Sequence, residues 1–94
     1  LKKAEGLAND DARVLTNFGN VYYLRKEFEA ASHYYERAAA ADPGDVHILV
    51  SLARCNLRLS KKAEAAEVFK RAIELDPTVG DSYRMLAFEL MESL

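Results

Sequence analysis

The sequence predicts an all-α fold, a right-handed solenoid of antiparallel helix pairs with about two and a half repeats. The first observation behind this prediction is that the segment 31–43, ASHYYERAAAADP, returns 34 residues later as 65–77, AAEVFKRAIELDP. The second is that apolar residues recur at spacings of three and four inside each unit, as on one face of a helix. A fixed period of this length indicates stacked units, because one helical pair cannot bury its apolar faces alone.

The composition excludes several classes of protein. With 94 residues, half of them hydrophobic, the chain is at most one small domain with enough apolar residues for a core. A net charge of −2 argues against nucleic acid and anionic membranes as partners. No apolar run approaches the ~20 residues of a membrane span. Cys55 stands alone, which excludes a disulfide framework within one chain and slightly favours a reducing, cytoplasmic compartment.

The first residues, 1–11, are predicted to be the end of a preceding repeat. A shift of 34 residues places Leu1 on Tyr35 and Ala4 on Ala38, both in the second helix of the next unit. Asp10 or Asp11 then follows, and either can cap the next helix because a short carboxylate accepts bonds from free backbone N–H groups.

Repeat 1 is predicted to span 12–45, with helices at 12–25 and 28–41. One face of its first helix should carry Leu15, Phe18, Gly19 and Tyr22. Glycine costs about 1 kcal/mol in a helix relative to alanine. We therefore expect Gly19 to mark the close approach of a neighbouring helix.

Repeat 2 is predicted to span 46–79, with helices at 46–59 and 62–75 and with Asp45 as the cap of the first. The remaining residues, 80–94, begin a third copy in a helix predicted at 79–93. This segment is either the first helix of a further repeat or a capping helix.

These residues resemble the tetratricopeptide repeat family, whose unit is a 34-residue helix–turn–helix with a fixed skeleton of apolar, small and proline positions. Repeat 1 matches that skeleton at Leu15, Phe18, Gly19, Tyr22, Ala31, Tyr35, Ala38 and Pro43. Repeat 2 matches it at Leu49, Leu52, Ala53, Ala65, Phe69, Ala72 and Pro77. The resemblance covers practically the whole chain and implies a single tetratricopeptide domain over 1–94.

Four positions depart from the family pattern. Asn56 replaces an aromatic residue, and Asn9 replaces a proline. Lys26 and Ser60 stand where many family members have a glycine in the turn. We interpret these departures as local costs.

The resemblance implies a function, because in this family the first helix of each pair lines a concave groove that binds partners. In repeat 1 the lining residues should be Arg13, Thr16, Asn20, Tyr23 and Leu24. In repeat 2 they should be His47, Val50, Arg54, Leu57 and Arg58. The third copy should add Asp81, Arg84, Phe88, Met91 and Glu92.

Charge is distributed unevenly between the two kinds of helix. Residues 12–25 and 46–59 contain four arginines and no acidic residue, whereas 27–41 and 61–75 each contain three glutamates. A groove with Arg54 and Arg58 suits a protein or peptide segment that carries carboxylates and an apolar anchor. The alternative is that these arginines form an ordinary solvated face.

One subset of the family grips the C-terminal carboxylate of chaperones through a basic and asparagine clamp. Here Thr16 occupies the expected lysine position and only Asn20 matches. Residues without the clamp chemistry occupy the other positions, Ser51, Asp81 and Met85. We therefore predict that this clamp activity is absent.

The third copy suggests a second role. Met85, Phe88 and Met91 add to the apolar face of its helix, and a helix that is apolar nearly all round is usually buried. Either further repeats cover these residues, or the chain associates with copies of itself as a structural scaffold through its exposed ends.

Catalysis has little basis in the sequence. His33 and His47 have no Cys or carboxylate at ligand spacing, and Cys55 has no His within one helical turn. The sequence contains no glycine-rich phosphate loop. We expect a protein that is not an enzyme and that binds no metal or cofactor.

Overall fold

The computed structural model describes residues 11–93, except for the side chains of Met85, Ala87, Leu90, Met91 and Ser93. Six helices follow one another over this range: α1 (Ala12–Leu24), α2 (Phe28–Ala41), α3 (Val46–Arg58), α4 (Lys62–Leu75), α5 (Thr78–Ser82) and α6 (Arg84–Ser93). The prediction for residues 1–11 falls almost wholly outside the described residues.

The helices pack with their neighbours in the chain. Helix α1 contacts α2, α3 contacts α4, and α2 joins the two pairs by contacting α3. Helix α4 is contacted in turn by α5 and α6. This arrangement confirms the predicted all-α solenoid of helix pairs.

Side-chain caps fix where the first helix of each pair begins. The Asp11 carboxylate accepts from the Arg13 backbone N–H at 2.8 Å. The Asp45 carboxylate accepts from His47 at 3.0 Å and from Ile48 at 3.4 Å. Of the two candidates for the first cap, the structure selects Asp11, and it confirms Asp45 as the second. Each satisfies N–H groups that the helix itself cannot.

The two turns inside the pairs share one geometry. Lys26 and Ser60 adopt left-handed φ values of 64° and 62°. The residue after each turn donates back across it, from Glu27 to the Tyr22 carbonyl and from Lys61 to the Asn56 carbonyl. This is the Schellman motif, in which glycine usually occupies the left-handed position. The left-handed φ explains why many family members have glycine in this turn, and it is unfavourable for the side chains of Lys26 and Ser60.

The core lies between the two kinds of helix. Its buried residues include Leu15, Ala38, Ile48, Leu49, Val50, Ala53, Ala65, Phe69 and Ala72. Gly19 is buried as well, and a Cβ there would lie 2.6 Å from Cε1 of Tyr35. The close approach expected at this glycine is confirmed, and the approaching group is the Tyr35 ring.

The predicted single helix 79–93 is wrong in one respect. Tyr83 leaves helical geometry at φ −115° and ψ 45°, which separates α5 from α6. The residues just before it, Gly80, Asp81 and Ser82, are weak helix formers. The half-buried Tyr83 ring packs against the core instead.

Candidate partner-binding groove

The first helices of the pairs share one face of the molecule, and three adjoining depressions run along it. The first, of about 320 Å³, lies between α1 and α3 near their N-termini. The middle one, of about 390 Å³, lies near the C-terminal half of α1. The third, of about 380 Å³, lies between α3 and the α5–α6 segment. We call the three together the groove.

Arginines surround the third depression. Arg54, Arg58 and Arg84 line it together with Glu89, so the described charged residues leave it net positive. Tyr23 and Leu57 provide its apolar wall. The sequence had assigned five of these six residues to the groove, all but Glu89, and the structure brings them together.

Tyr23 holds two of these arginines. The Arg54 guanidinium lies 5.7 Å from the centre of the Tyr23 ring, within the range of a cation–π interaction. Arg58 donates from Nε to the Tyr23 hydroxyl at 3.4 Å, and this bond raises the pKa of Arg58. The Phe28 ring packs on the Tyr23 ring in a T-shaped arrangement, with 5.2 Å between the ring centres. The tyrosine therefore organises the positive depression from the neighbouring repeat.

The middle depression has a polar floor built by a core residue. Tyr35 belongs to α2 and is only 2% exposed, yet it lines this depression beside Asn20 and Ser51. Its hydroxyl donates to Oδ1 of Asn20. Burial, followed by the nearby Cys55 and Tyr23, raises the pKa of Tyr35 to about 12, although the Ser51 hydroxyl and Arg54 act in the opposite direction. The phenol is therefore protonated near neutral pH and acts as a donor.

The first depression carries both signs of charge. Arg13 and His47 line it, and so do Asp42 and Asp45. Asp45 is already engaged as the cap of α3. This end of the groove is thus more balanced in charge than the arginine-lined end.

The structure assembles most of the residues that the sequence had assigned to the groove. Eight of nine predicted contact positions line a depression: Arg13, Asn20, Tyr23, His47, Arg54, Leu57, Arg58 and Arg84. The ninth, Phe88, lines none of the three and is 59% exposed. Their part in binding stays a prediction.

The expected position of Val50 in the groove is wrong. Val50 is 2% exposed and belongs to the core, whereas its neighbour Ser51 lines the two depressions nearer the start of the chain. Ser51 lies four residues after His47 and three before Arg54, so strict helical spacing would have found it. Tyr35 and Glu89 also line the groove, although neither was predicted to do so. The sequence pattern identifies Tyr35 only as a core position of the family, and it does not indicate that the ring extends to the groove.

The self-association candidates are only partly visible. The side chains of Met85 and Met91 lie outside the described residues. Phe88 is exposed, as a contact residue on a partner-facing surface would be.

The remaining reactive groups lie apart from one another. Over the part of the chain that the structure describes, no group of three His, Cys, Asp or Glu residues could hold a metal ion. Cys55 is buried between the repeats, and burial raises the pKa of its thiol to about 11. His33 meets the edge of Tyr34 at 5.7 Å, outside the groove. Among the described helices, none is long and apolar enough to cross a membrane.

The clamp positions have other local roles. The Thr16 hydroxyl donates to the Ala12 carbonyl at 2.6 Å, one turn back in its own helix. Ser51 is engaged with the Tyr35 phenol. A carboxylate group would therefore find no lysine in this part of the groove.

Comparisons with known proteins agree with the repeat pattern. A family model described as "Tetratricopeptide repeat" matches residues 16–79. Among curated proteins, the chain is 32% identical over 69 residues to Hsp70-Hsp90 organizing protein 1 of Arabidopsis thaliana, and equally so to the STIP1 homolog of Dictyostelium discoideum. Each match covers 73% of this chain but 12% of the relative's length.

Proposed function

Because the chain belongs to the tetratricopeptide repeat family, a family of protein–protein interaction modules, we propose that its groove binds an extended segment of a partner protein without catalysis. The acidic part of that segment occupies the third depression, beside Arg54, Arg58 and Arg84. Its apolar part contacts Tyr23 and Leu57.

One observation carries this proposal, namely the concentration of guanidinium groups around a small apolar depression. Three arginines surround a space of about 380 Å³ that Tyr23 and Leu57 also line. An arginine can grip a carboxylate through two parallel N–H bonds, and aromatic and arginine residues often dominate binding energy. A merely solvated arginine face would need no such depression.

Preorganisation strengthens the same argument. The contacts with the Tyr23 ring and hydroxyl hold Arg54 and Arg58 before any partner arrives. Side chains that are already ordered lose less entropy on binding, which raises affinity without new contacts. Glu89 lines the same depression and balances one of its three arginine charges, which leaves a net positive charge for a partner's carboxylate.

The relatives bear on the choice of partner. The name of the Arabidopsis thaliana relative describes a protein that organises Hsp70 and Hsp90. Of the clamp side chains that grip chaperone termini in this family, this chain has only Asn20, and Thr16 is bonded to its own helix. We therefore propose that it binds acidic segments by its arginine-lined depression rather than chaperone C-termini by the clamp.

Charge reversal tests this function. A short peptide is selected on the purified chain from a random display library and labelled with fluorescein, and we call it the probe peptide. The double variant Arg54→Glu, Arg58→Glu should weaken its binding by roughly a hundredfold or more, because two charged contacts of about 1.5–3 kcal/mol each are lost. The matched control Lys70→Glu, Arg71→Glu changes two exposed charges on α4 equally and should leave affinity unchanged.

Salt provides a second criterion. Added salt should weaken the probe peptide's binding to the native chain and should have less effect on the arginine variant, since screening acts on charge pairs. Equal binding by both double variants, with no salt dependence, would contradict the groove proposal. The same charge reversals in a pull-down from the source lysate would then ask whether natural partners follow the probe peptide.

A second candidate function is self-association, and one observation favours it. Val14, Phe18 and Val21 form an exposed apolar stripe along α1, whereas the residues 34 positions later are buried against α2. A second copy of the chain could cover this stripe. Sedimentation velocity should then show dimers that Phe18→Ser abolishes and that salt does not dissociate, whereas a monomer at all concentrations would refute this alternative.

A further inference from the structure

We infer that Tyr35 is a positioning residue for the groove: it holds the Asn20 amide so that its N–H groups face the bound segment. The inference rests on the proposed function and adds what the middle depression recognises. That depression takes a main-chain carbonyl of the segment. It adjoins the arginine-lined depression that takes the carboxylate, and Arg54 lines both. The ligand chemistry is therefore an acidic side chain and, at a fixed distance from it, a hydrogen-bond acceptor.

The path of the Tyr35 ring is the first step. Tyr35 starts on α2, behind the layer of first helices, and its ring crosses that layer over Gly19. A Cβ on Gly19 would lie 2.6 Å from Cε1, 2.7 Å from Cδ1 and 3.0 Å from Cζ of the ring. Only the missing side chain at this position lets the phenol reach the groove. The hydroxyl emerges in the middle depression, while the rest of the residue stays buried.

Hydrogen-bond direction is the second step. The Ser51 hydroxyl bonds to the phenol oxygen, and the phenol in turn donates to Oδ1 of Asn20. An amide has an acceptor oxygen and a donor nitrogen on opposite sides of one carbon. With its oxygen bound by Tyr35, Asn20 turns its nitrogen away from the phenol. Asn20 lines both the first and the middle depression, which leaves its nitrogen for a bound segment that crosses them.

The second repeat provides an internal contrast. Thirty-four residues later, Phe69 stands in place of Tyr35 and Arg54 in place of Asn20. Phe69 has no hydroxyl, so it cannot orient its neighbour, and Arg54 lies over the Tyr23 ring instead. The phenol is therefore present in repeat 1, where the Asn20 amide needs to be oriented, and absent in repeat 2, where Arg54 does not. An arginine presents donors in every rotamer, whereas an asparagine can present either end.

The first test needs no ligand. In ¹⁵N relaxation measurements, the Asn20 side-chain NH₂ of the native chain should be as ordered as the backbone. In Tyr35→Phe that order should fall clearly, while the backbone of α1 keeps its own. The matched control Tyr34→Phe removes a hydroxyl from the adjacent tyrosine, outside the groove, and should change nothing at Asn20. An Asn20 amide that stays equally ordered in Tyr35→Phe would overturn the inference.

The second test uses the probe peptide. Tyr35→Phe should weaken its binding roughly threefold to tenfold, the effect of one hydrogen bond of about 1 kcal/mol. Asn20→Ala should weaken it by a similar factor, and the double variant should be no worse than Asn20→Ala alone, because Tyr35 acts only through Asn20. Full additivity of the two changes would overturn the inference and indicate a separate structural role for Tyr35.

The outcomes separate the two proposals. Binding of the probe peptide that is unaffected by the arginine substitutions contradicts the proposed function, whatever the effect of Tyr35→Phe. Binding that depends on the arginines but ignores both Asn20→Ala and Tyr35→Phe retains the proposed function and refutes the inference. A phenylalanine fills the same site in repeat 2, where Phe69 is buried, so we expect Tyr35→Phe to fold normally.

Discussion

The two full repeats differ in how well their first helices are covered. In repeat 1, Phe18 is 45% exposed, whereas its equivalent in repeat 2, Leu52, is 5% exposed. Val14 and Val21 are likewise exposed, and their equivalents in α3 are buried. The difference arises because α2 packs on α3, and no described helix packs on the same face of α1. Equivalent positions in a repeat protein therefore contribute unequally to the free energy of unfolding, because different neighbours cover them.

The repeats also differ in what they present to the groove. Repeat 1 combines Gly19 with the Tyr35 phenol and the Asn20 amide, whereas repeat 2 combines Ala53 with Phe69 and Arg54. The helices keep the same lengths, 13 and 14 residues, in both repeats. Groove chemistry can thus change at a few positions while the scaffold stays constant.

Truncating the covered position should have the largest effect. Leu52→Ala should lower the free energy of unfolding by about 3 kcal/mol, because a cavity forms between α2 and α3. Phe18→Ala, at the equivalent position in repeat 1, should cost only about 1 kcal/mol because the ring is half exposed. Urea unfolding measures both, and equal losses would contradict the unequal coverage of the two helices.

Adding a methyl group at Gly19 should have the next largest effect. Gly19→Ala brings a Cβ within 2.6 Å of the Tyr35 ring and should cost about 2 kcal/mol, despite alanine's better helix propensity. The comparison in repeat 2 is Ala53→Gly, which should cost about 1 kcal/mol through propensity and lost packing. In a Tyr35→Ala background, Gly19→Ala should become neutral or stabilising. A cost that persists there would refute the steric explanation.

The Tyr35 hydroxyl should make the stability of the chain depend on alkaline pH, whereas its equivalent in repeat 2, Phe69, cannot ionise. The pKa of Tyr35 is raised from 10.0 to about 12 in the folded chain, so the folded state favours the neutral phenol. This contribution to stability is complete below pH 10 and is lost as the pH rises from 10 to 12. Tyr35→Phe should reduce the loss of stability over that window, as followed by urea midpoints. Cys55, whose pKa is raised to about 11, should contribute a similar loss from pH 9 to 11 in both chains.

Substitutions in the turns, which the two repeats share, should have the smallest effect on the free energy of unfolding. They should raise it, whereas Leu52→Ala and Gly19→Ala lower it. Lys26→Gly and Ser60→Gly should each stabilise the fold by about 1 kcal/mol, because glycine adopts left-handed φ without a Cβ clash. The control Lys61→Gly, at φ −92°, should destabilise it slightly. Thermal unfolding would show this, and a loss of stability in both turn variants would contradict the account of the Schellman turns.

Much of the fold follows from the sequence because each feature depends on near neighbours. The caps at Asp11 and Asp45 and the close approach at Gly19 were all predicted and are confirmed. The helix bounds agree to within one residue at the four helices of the two full repeats. Each of these depends on periodicity or on a single local preference.

The features that the sequence did not predict depend on the positions of side chains in the folded chain. Val50 is buried and Ser51 lines the groove instead, as the helical spacing from His47 and Arg54 would have indicated. The break at Tyr83 reflects a competition between weak helix formers and packing of the ring. The reach of Tyr35 into the groove needs both Gly19 and the position of α2, so a list of core positions could not reveal it.

The measurement that tests the central claim most directly is a chemical-shift map of the uniformly ¹⁵N-labelled chain as the probe peptide is added. We predict that the largest changes fall on the groove, at Asn20, Ser51, Arg54, Arg58 and Arg84, with little change along the outer face of α2 and α4. Changes confined to the outer helices, or to the exposed stripe of α1, would contradict the groove as the binding site.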